Sequence, residues 1–436
     1  MTQRPFHLGW FLNFTPDDWD LPFGNGGMPF DGEFYVEVAR TLERACFDYM
    51  MIEDKLLVPE AYGGSIESAL RLGMMAPKHD PAPLAAICAA ATRHLGTVVT
   101  LSTLAYPPFL LARLCSTLDS LSGGRFGWNI VTSAENLAAQ NFGLEKLPPR
   151  EQRYDMADEY VDIVNRLFDS WAPDAVIRDR EHGIYADWTK VKPINHKGQY
   201  FSVRGPLNTV RSPQGRPVYV QAGGSPRGRR FAARHADSIV AVSNGLQQMK
   251  AFRDDIRRLA VAEGRNPEQI KVLFLVTPVL GETDAEARQK QQRMVQRPNF
   301  IEQILAIISA ITDIDFAKFH LDEVLPHLTT NGEQGSLDKF QQPGSGKTLR
   351  QLVLEASGGF AASIELIGTP DHVADLMREA MEFVGGDGFL ITTPTQRMNR
   401  SDLISITDGL VPVLQRRGLV RAEYRHKRLR DTLREF

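Results

Sequence analysis

The sequence predicts an α/β protein: a single (β/α)8 TIM barrel carrying several insertion segments at its C-terminal face. Three observations lead there. Short apolar strands alternate with amphipathic helical stretches along the chain, which is the pattern of parallel βα units. Eight such strands are found, apolar on both faces, as strands covered by helices must be. No linker-like run divides the 436 residues, which favours one domain over 1–436. A doubly wound open sheet is the alternative architecture.

In chain order the strands are HLGWFLN, YMMIED, GTVVTLS, RFGWNIVTS, PVYVQAG, SIVAVS, VLFLVTPVL and GFLITTP. Each is followed by a helical stretch. A barrel of this kind needs about 250 residues, so the excess belongs in insertions, expected at about 56–83, 172–216 and 298–365. The first is interrupted by glycines and prolines. The second reads as a small hairpin or extended arm, and the third as short helical pieces flanked by TTNGEQGS and QQPGSGK. Ligands bind where barrel strands end, so the insertions are expected to wall a pocket.

Composition narrows the function classes. With 43% hydrophobic and 24% charged residues, a net charge of -3 and a pI near 6.4, the chain offers no field for nucleic acid or an anionic membrane. The basic last segment, RAEYRHKRLRDTLRE, interleaves acids and reads as a solvated helix. Cys46, Cys88 and Cys115 fall in helical stretches outside any CxxC or CxxH pattern and read as buried small hydrophobes. The ten histidines form no metal-ligand spacing, so no metal is expected. No leader and no long apolar run stand in the sequence, which points to the cytoplasm and away from a membrane span.

The string GSGKT, Gly344 to Thr348, resembles a phosphate loop only superficially. Gln341 stands where the motif's first glycine belongs, and SLDKFQQP upstream is too polar for a buried strand. A flexible loop opening a helix is the reading. The stretch PVYVQAGGSPRG has what GSGKT lacks: an apolar strand, two glycines permitting close backbone approach, and Ser225-Pro226 starting a helix. Free N–H groups and the helix dipole meet there, so an anion belongs at Gly224 and Ser225. Arg227, Arg229 and Arg230 stand nearby as further donors. GGSPRG lacks the dinucleotide fingerprint, and a mononucleotide phosphate fits better.

A second informative block runs from Gly123 to Trp171. Its strand ends in Trp128, Asn129, Ile130, Val131, Thr132 and Ser133, which brings amide and hydroxyl groups to the barrel mouth. Thr100 and Ser102 share a face of the third strand, and Asp54 closes the second. No nucleophile with an adjacent base and no paired carboxylates occur among them. Such a mouth leaves the difficult chemistry to a cofactor. Trp10, Phe14, Tyr62 and Tyr106 are the aromatic candidates for an apolar substrate compartment.

Five blocks carry a resemblance: FDYMMIED; TLSTLAYPPFLLARLCSTLDSLSGGRFGWNIVTSAENLAAQNFG; REQRYDMADEYVDIVNRLFDSW; FSVRGPLNTVRSPQGRPVYVQAGGSPRGRRFAARHAD; and VPVLQRRGLVRAEYRHKRLRDTL. Together they resemble the flavin-dependent monooxygenases of the bacterial-luciferase superfamily, in the group of nitrilotriacetate, EDTA and dibenzothiophene-sulfone monooxygenases. The resemblance implies a barrel that binds reduced FMN (FMNH2) from a separate NAD(P)H:flavin reductase, takes O2 as co-substrate and oxygenates a small organic molecule. It implies FMN contacts at Asp54, Thr100, Tyr154 and Ser225, with Ser225 at the phosphate; Ser102 at the barrel mouth and Gly224 at the glycine corner are expected to bind the cofactor beside them. Arg150 stands where the family usually has histidine, HDxRY becoming REQRY, and a guanidinium there is expected to pair with the phosphate. Thr100 and Asn129 match the positions that help place dioxygen. A homodimer or homotetramer is also implied. Rival readings are an F420-dependent hydride-transfer enzyme of the same superfamily and a non-catalytic flavin-binding protein.

Overall fold

The computed structural model describes residues 4–12, 19, 31–356, 362–393, 397–398 and 400–436. Eight parallel strands close on themselves: β1 (His7–Leu12), β2 (Tyr49–Ile52), β3 (Gly96–Ser102), β4 (Phe126–Val131), β5 (Val218–Gln221), β6 (Ser238–Ala241), β7 (Lys271–Val276) and β8 (Gly388–Ile391). Each pairs with its neighbours in sequence, and β8 returns to β1 through pairs such as Gly9 with Leu390. All eight expected strands are therefore the barrel staves.

The covering helices are α1 (Glu33–Arg44), α2 (Pro81–Ala91), α3 (Pro108–Leu121), α4 (Arg150–Phe168), α5 (Pro226–His235), α6 (Leu246–Ala262), α7 (Pro370–Val384) and α8 (Val411–Arg416). The last is entered through Arg400–Ile404 and a π turn, Ser405–Leu410. Four of them, α2, α3, α5 and α7, begin on proline, whose missing N–H is not needed in a first turn. Asp80, Ser225 and Thr369 cap three of those ends by accepting backbone N–H groups.

Strand alternation sorts the core into two layers. Phe11, Met51, Val98, Val220, Leu275 and Leu390 fill the barrel interior, while Trp10, Trp128 and Tyr219 pack outward against the helices. The interior is closed from the N-terminal side by the chain's last segment. Leu429 and Leu433, in the short helix Leu429–Leu433, are 1% and 2% exposed and join the interior cluster. Gly96 makes room for them, since a Cβ there would stand 2.6 Å from Leu429 Cδ1. This corrects the reading of the tail as a solvated helix. Its basic residues face outward or pair with buried acids, and its leucines plug the barrel.

Three aspartates organise that face. Asp48, Asp237 and Asp387 each stand one residue before a strand and accept the backbone N–H of Leu8, Tyr219 and Val272 in the preceding strand, at 2.8, 2.9 and 3.1 Å. Each also pairs with an arginine: Arg421 at 2.7 Å, Arg216 at 3.0 Å and Arg253 at 3.1 Å.

The segments after β2 and β7 rise at the C-terminal face and share a second hydrophobic core. Leu72, Met74 and Met75 from the first pack with Phe300, Phe316 and Phe340 from the second. The segment 172–216 departs from the expected placement. It follows α4 rather than a strand, so it enters β5 from the N-terminal side and lies along the outer helices. Trp171 Nε1 donates to Leu207 O at 2.7 Å, and Glu159 of α4 accepts from Tyr200 N and Phe201 N at 3.0 Å. Its two antiparallel ribbons, Val176–Asp179 with Ile184–Ala186 and His196–Lys197 with Ser202–Val203, match the expected arm. The GSGKT string is a turn and a helix cap: Thr348 forms a capping box with Gln351 at the start of Leu349–Glu355. Cys88 and Cys115 are buried in α2 and α3, whereas Cys46 lies just past α1 and is partly exposed.

Candidate active site

A cavity of about 300 Å³ opens at the C-terminal ends of the strands, between the barrel mouth and the segment that follows β7. Asp54, Thr100, Ser102, Asn129, Arg150, Tyr154, Gly224 and Ser225 all line it. The eight positions singled out in the sequence, drawn from five separate stretches of chain, thus share one enclosure.

Its floor is set by strand register. Thr100 of β3 stands opposite Asn129 of β4, so both side chains turn to the same side. Asn129 Nδ2 donates to Thr100 Oγ1 at 2.9 Å, and Asn129 Oδ1, in a residue 3% exposed, has no partner among the described residues. Ser102 and Ser133 share a hydroxyl contact of 2.7 Å beside them. Asp54 follows β2 directly after Glu53, whose carboxylate pairs with Lys78. Burial, then the neighbouring Glu53 charge, pushes the Asp54 carboxyl up to about 7. The protein therefore places a near-neutral acid on the cavity wall.

The opposite end is the glycine-serine corner. Ser225 caps α5, its Oγ accepting from Gly228 N at 3.1 Å. Gly228 has no room for a side chain: a Cβ there would meet Tyr154 Oη at 2.7 Å, Gly223 Cα at 3.1 Å and Ser225 Oγ at 3.2 Å. Two hydroxyls, from α4 and from the cap of α5, thus converge on the first turn of one helix, where N–H groups and the dipole favour an anion. Gln221 Nε2 donates to Tyr154 Oη at 3.4 Å. Burial raises the Tyr154 pKa against the opposing pull of Gln221 and of the surrounding arginines, so the phenol keeps its proton.

Of the cations expected at this corner, Arg227, Arg229 and Arg230 are already paired with carboxylates, and Arg150 is not, among the described residues. Arg227 is bound to Asp158 at 2.6 Å and Asp155 at 3.0 Å, Arg229 to Gly224 O at 2.9 Å and Asp255 at 3.3 Å, and Arg230 to Glu263 at 2.9 Å. Their charges are already spent on carboxylates of α4 and of the α6 region. Arg150 and Arg153 behave otherwise. Arg150 donates to the carbonyls of Thr330 and Gly332, the latter at 3.0 Å, and Arg153 to those of Pro148 at 2.6 Å and Asn331 at 2.8 Å. Among the described residues neither is paired with a carboxylate. Burial, then repulsion from Arg150, lowers Arg153 to about 10, and its Nε has no partner among the described residues. Two guanidinium charges held only by neutral carbonyls make this end of the cavity electropositive.

Several lining residues went unrecognised in the sequence. Arg153 is three residues after Arg150 on one helix face, a spacing that signals shared surroundings. Gln221 ends β5 two residues before Gly223. Lys55 and Glu135 form an ion pair across the mouth, and Lys55 also faces the Glu333 charge. Lys339 donates to the carbonyls of Ser243 and Ala362, and burial lowers its pKa to about 8. The aromatic candidates fare differently. Trp10 is fully buried outside the barrel, Tyr62 packs with the second core, and Tyr106 offers its carbonyl to Tyr160; none lines the cavity. Phe14 lies outside the described residues. Phe11 lines the cavity instead, because one step along a strand reverses the face.

Comparison with known proteins gives a consistent result. The family profile described as luciferase-like monooxygenase matches residues 6–387. The dibenzothiophene-sulfone monooxygenase of Rhodococcus erythropolis (strain XP) is 37% identical over 446 residues, covering 99% of this chain and 97% of the relative. Nitrilotriacetate monooxygenase component A of Aminobacter aminovorans is 35% identical over 427 residues, covering 95% and 92%. Among solved structures, a riboflavin lyase crystallised with modified FMN and riboflavin superposes with a TM-score of 0.90 at 31% identity, covering 99% of this chain and 96% of that one.

Proposed function

The chain belongs to the luciferase-like monooxygenase family, and on that premise we propose that it is the oxygenase component of a two-component system. In this reading it takes reduced FMN from a separate NAD(P)H:flavin reductase, uses O2 as co-substrate and oxygenates a small organic molecule. One observation carries the reading: the eight positions that the sequence marks for flavin and oxygen line a single cavity with an electropositive, hydroxyl-bearing end.

The residues present fit that cofactor. The corner at Gly224 and Ser225 offers a helix N-terminus with Ser225 and Tyr154 hydroxyls converging on it, and the missing side chain of Gly228 is what lets those two hydroxyls come so close. Arg150 and Arg153 supply positive charge not yet matched by carboxylates, which suits a phosphate dianion. Asp54, Thr100, Ser102 and Asn129 would face the ring system. The unpartnered Asn129 Oδ1 is an acceptor awaiting a donor there.

Reduced FMN, when bound, supplies the electrons and the site at which dioxygen is activated. The side chains do the rest. Asn129, held by Thr100, presents a fixed amide at the barrel mouth, and the pair orients small polar reactants without needing to ionise. Phe11, Met51, Ile130, Leu275 and Ile311 give the cavity apolar walls that hold an organic substrate and keep water out. The segment after β7 covers the mouth and is held down by Arg150 and Arg153 through the carbonyls of 330–332. Cytoplasmic location and a homodimeric or homotetrameric state belong to the same proposal; no helix among the described residues is long and apolar enough to cross a membrane.

The test is oxygen uptake with reduced FMN supplied by a generic flavin reductase, scored for substrate-dependent product against a panel of sulfides, sulfones, amines and alkanes. Product formed with reduced FMN supports the proposal. Turnover with reduced F420 and none with reduced FMN would replace it with a hydride-transfer enzyme.

A further inference from the structure

Gln221 is the last residue of β5, and the alternation of that strand gives it an unusual place. Val218 and Val220 fill the barrel interior, so Tyr219 and Gln221 turn outward beneath α4. Gln221 is 4% exposed and lines the cavity at its electropositive end. Its Nε2 donates to Tyr154 Oη, while its Oε1 has no partner among the described residues. An amide left half-satisfied in a buried position is destabilising, and a leucine or methionine would serve packing better. The turn is also shaped around it. A Cβ at Gly223 would stand 2.5 Å from Gln221 Nε2 and 2.8 Å from its Oε1, so the first glycine of the corner is the residue that admits the amide.

The consequence concerns a proton. With Gln221 donating to the phenol oxygen, one acceptor position of Tyr154 is occupied, and the phenol's own O–H is directed elsewhere. The oxygen lies beside Gly228 in the first turn of α5, next to the Ser225 hydroxyl. We infer that Gln221 is a positioning residue: it aims the Tyr154 hydroxyl proton at the phosphate group of the flavin seated on the Ser225 turn. This rests on the phosphate seat proposed above. Nothing in the flavin ring system is asked of Gln221, so its effect belongs to the phosphate alone.

The experiment measures affinity for FMN and for riboflavin, which lacks the phosphate, in wild type, Gln221→Met, Tyr154→Phe and the double variant, with circular dichroism and melting curves as folding controls. Losing one donor to a charged oxygen is worth about tenfold in affinity. Gln221→Met and Tyr154→Phe are each expected to weaken FMN binding about tenfold and to leave riboflavin binding unchanged. The double variant is expected to be no weaker than Tyr154→Phe, because both substitutions remove the same aimed proton. Gln221→Glu, whose carboxylate accepts the phenol proton and turns it away, is expected to bind FMN more weakly than Gln221→Met. Equal losses for FMN and riboflavin, or additive losses in the double variant, overturn the inference while leaving the phosphate seat standing. Equal wild-type affinity for the two flavins overturns the seat and the inference with it.

Discussion

Asp54→Asn is the substitution with the sharpest expected signature, because Asp54 sits half-buried on the cavity wall with its carboxyl raised to about 7. Burial is the main cause and the Glu53 charge the second; Asp80 adds to it, and Lys78 and the Lys55 backbone oppose it. A carboxyl whose folded pKa lies above its unfolded one gives stability that is present below the unfolded value, 3.8, and is lost as pH rises through about 7. The carboxyl therefore costs folding about 4 kcal/mol at pH 8, where it must ionise in the folded protein, and about 1.5 kcal/mol at pH 5, where it must take up a proton on folding, both before screening. Solvent in the cavity roughly halves both figures, which leaves a difference of about 1 to 1.5 kcal/mol between the two pH values.

Asparagine does not ionise, so the variant escapes that loss. With about 2.1 cal/mol/K of unfolding entropy per residue, the 436-residue chain changes Tm by about 1 °C for each kcal/mol. Asp54→Asn should therefore raise Tm relative to wild type by about 1 to 1.5 °C more at pH 8 than at pH 5, as read by differential scanning calorimetry. The comparison at two pH values cancels everything the substitution does by shape. An equal offset at both values would refute the account of Asp54 as an acid strained by its surroundings.

Asn129→Leu removes the donor to Thr100 while keeping volume; the rate at which bound reduced FMN is oxidised by O2, followed by stopped flow, should change about tenfold or more, with FMN affinity within about threefold. Arg153→Met takes away the donors to Pro148 O and Asn331 O. It should weaken FMN binding about tenfold and speed limited proteolysis between residues 326 and 348; an unchanged cleavage rate counts against the clamp. It should also raise hydrogen peroxide released per O2 consumed, because the covering segment is less firmly held. Asp237→Asn breaks a buried pair with Arg216 and Arg430. The expected cost is about 3 kcal/mol or more, seen in chemical denaturation, with flavin affinity unchanged.

The barrel was legible because its signal is repetitive: eight apolar strands, each followed by a helix, leave few other packings. The corner at Ser225 was legible because glycine, serine and proline report backbone directly. Charge partnership was not. Arg227, Arg229 and Arg230 stand nearest the corner in sequence, yet helix packing hands them to Asp158, Asp255 and Glu263. Arg150 and Arg153, some 70 residues away, end up unmatched. Trp10 and Phe11 make the same point on a smaller scale, since one register step decides which ring faces the cavity. The tail misled because its nine charged residues hid two leucines, and only the tertiary structure shows Leu429 and Leu433 entering the barrel.

The two ends of the barrel treat charge in opposite ways, and this separates stability from chemistry. At the N-terminal face Asp48, Asp237 and Asp387 each hold an arginine and the N–H of the preceding strand. Against the push of burial, Arg421 keeps Asp48 below the usual carboxylate range, and Arg216 does the same for Asp237. Such groups stay ionised at neutral pH and lock the register of neighbouring strands. At the C-terminal face Lys55 pairs with Glu135 and Lys78 with Glu53, but the groups around the cavity ends are not paired: Arg150 and Arg153 face carbonyls, Asp54 resists ionising, and Asn129, Gln221 and Arg153 keep buried polar atoms without partners among the described residues. Each of these is destabilising by itself. A protein under selection for stability alone would pair them, as it has paired their counterparts about one strand length away. The proposed flavin, with negative charge at one end and hydrogen-bonding edges at the other, would answer them together, and its binding should raise Tm more in wild type than in any variant that satisfies these atoms internally.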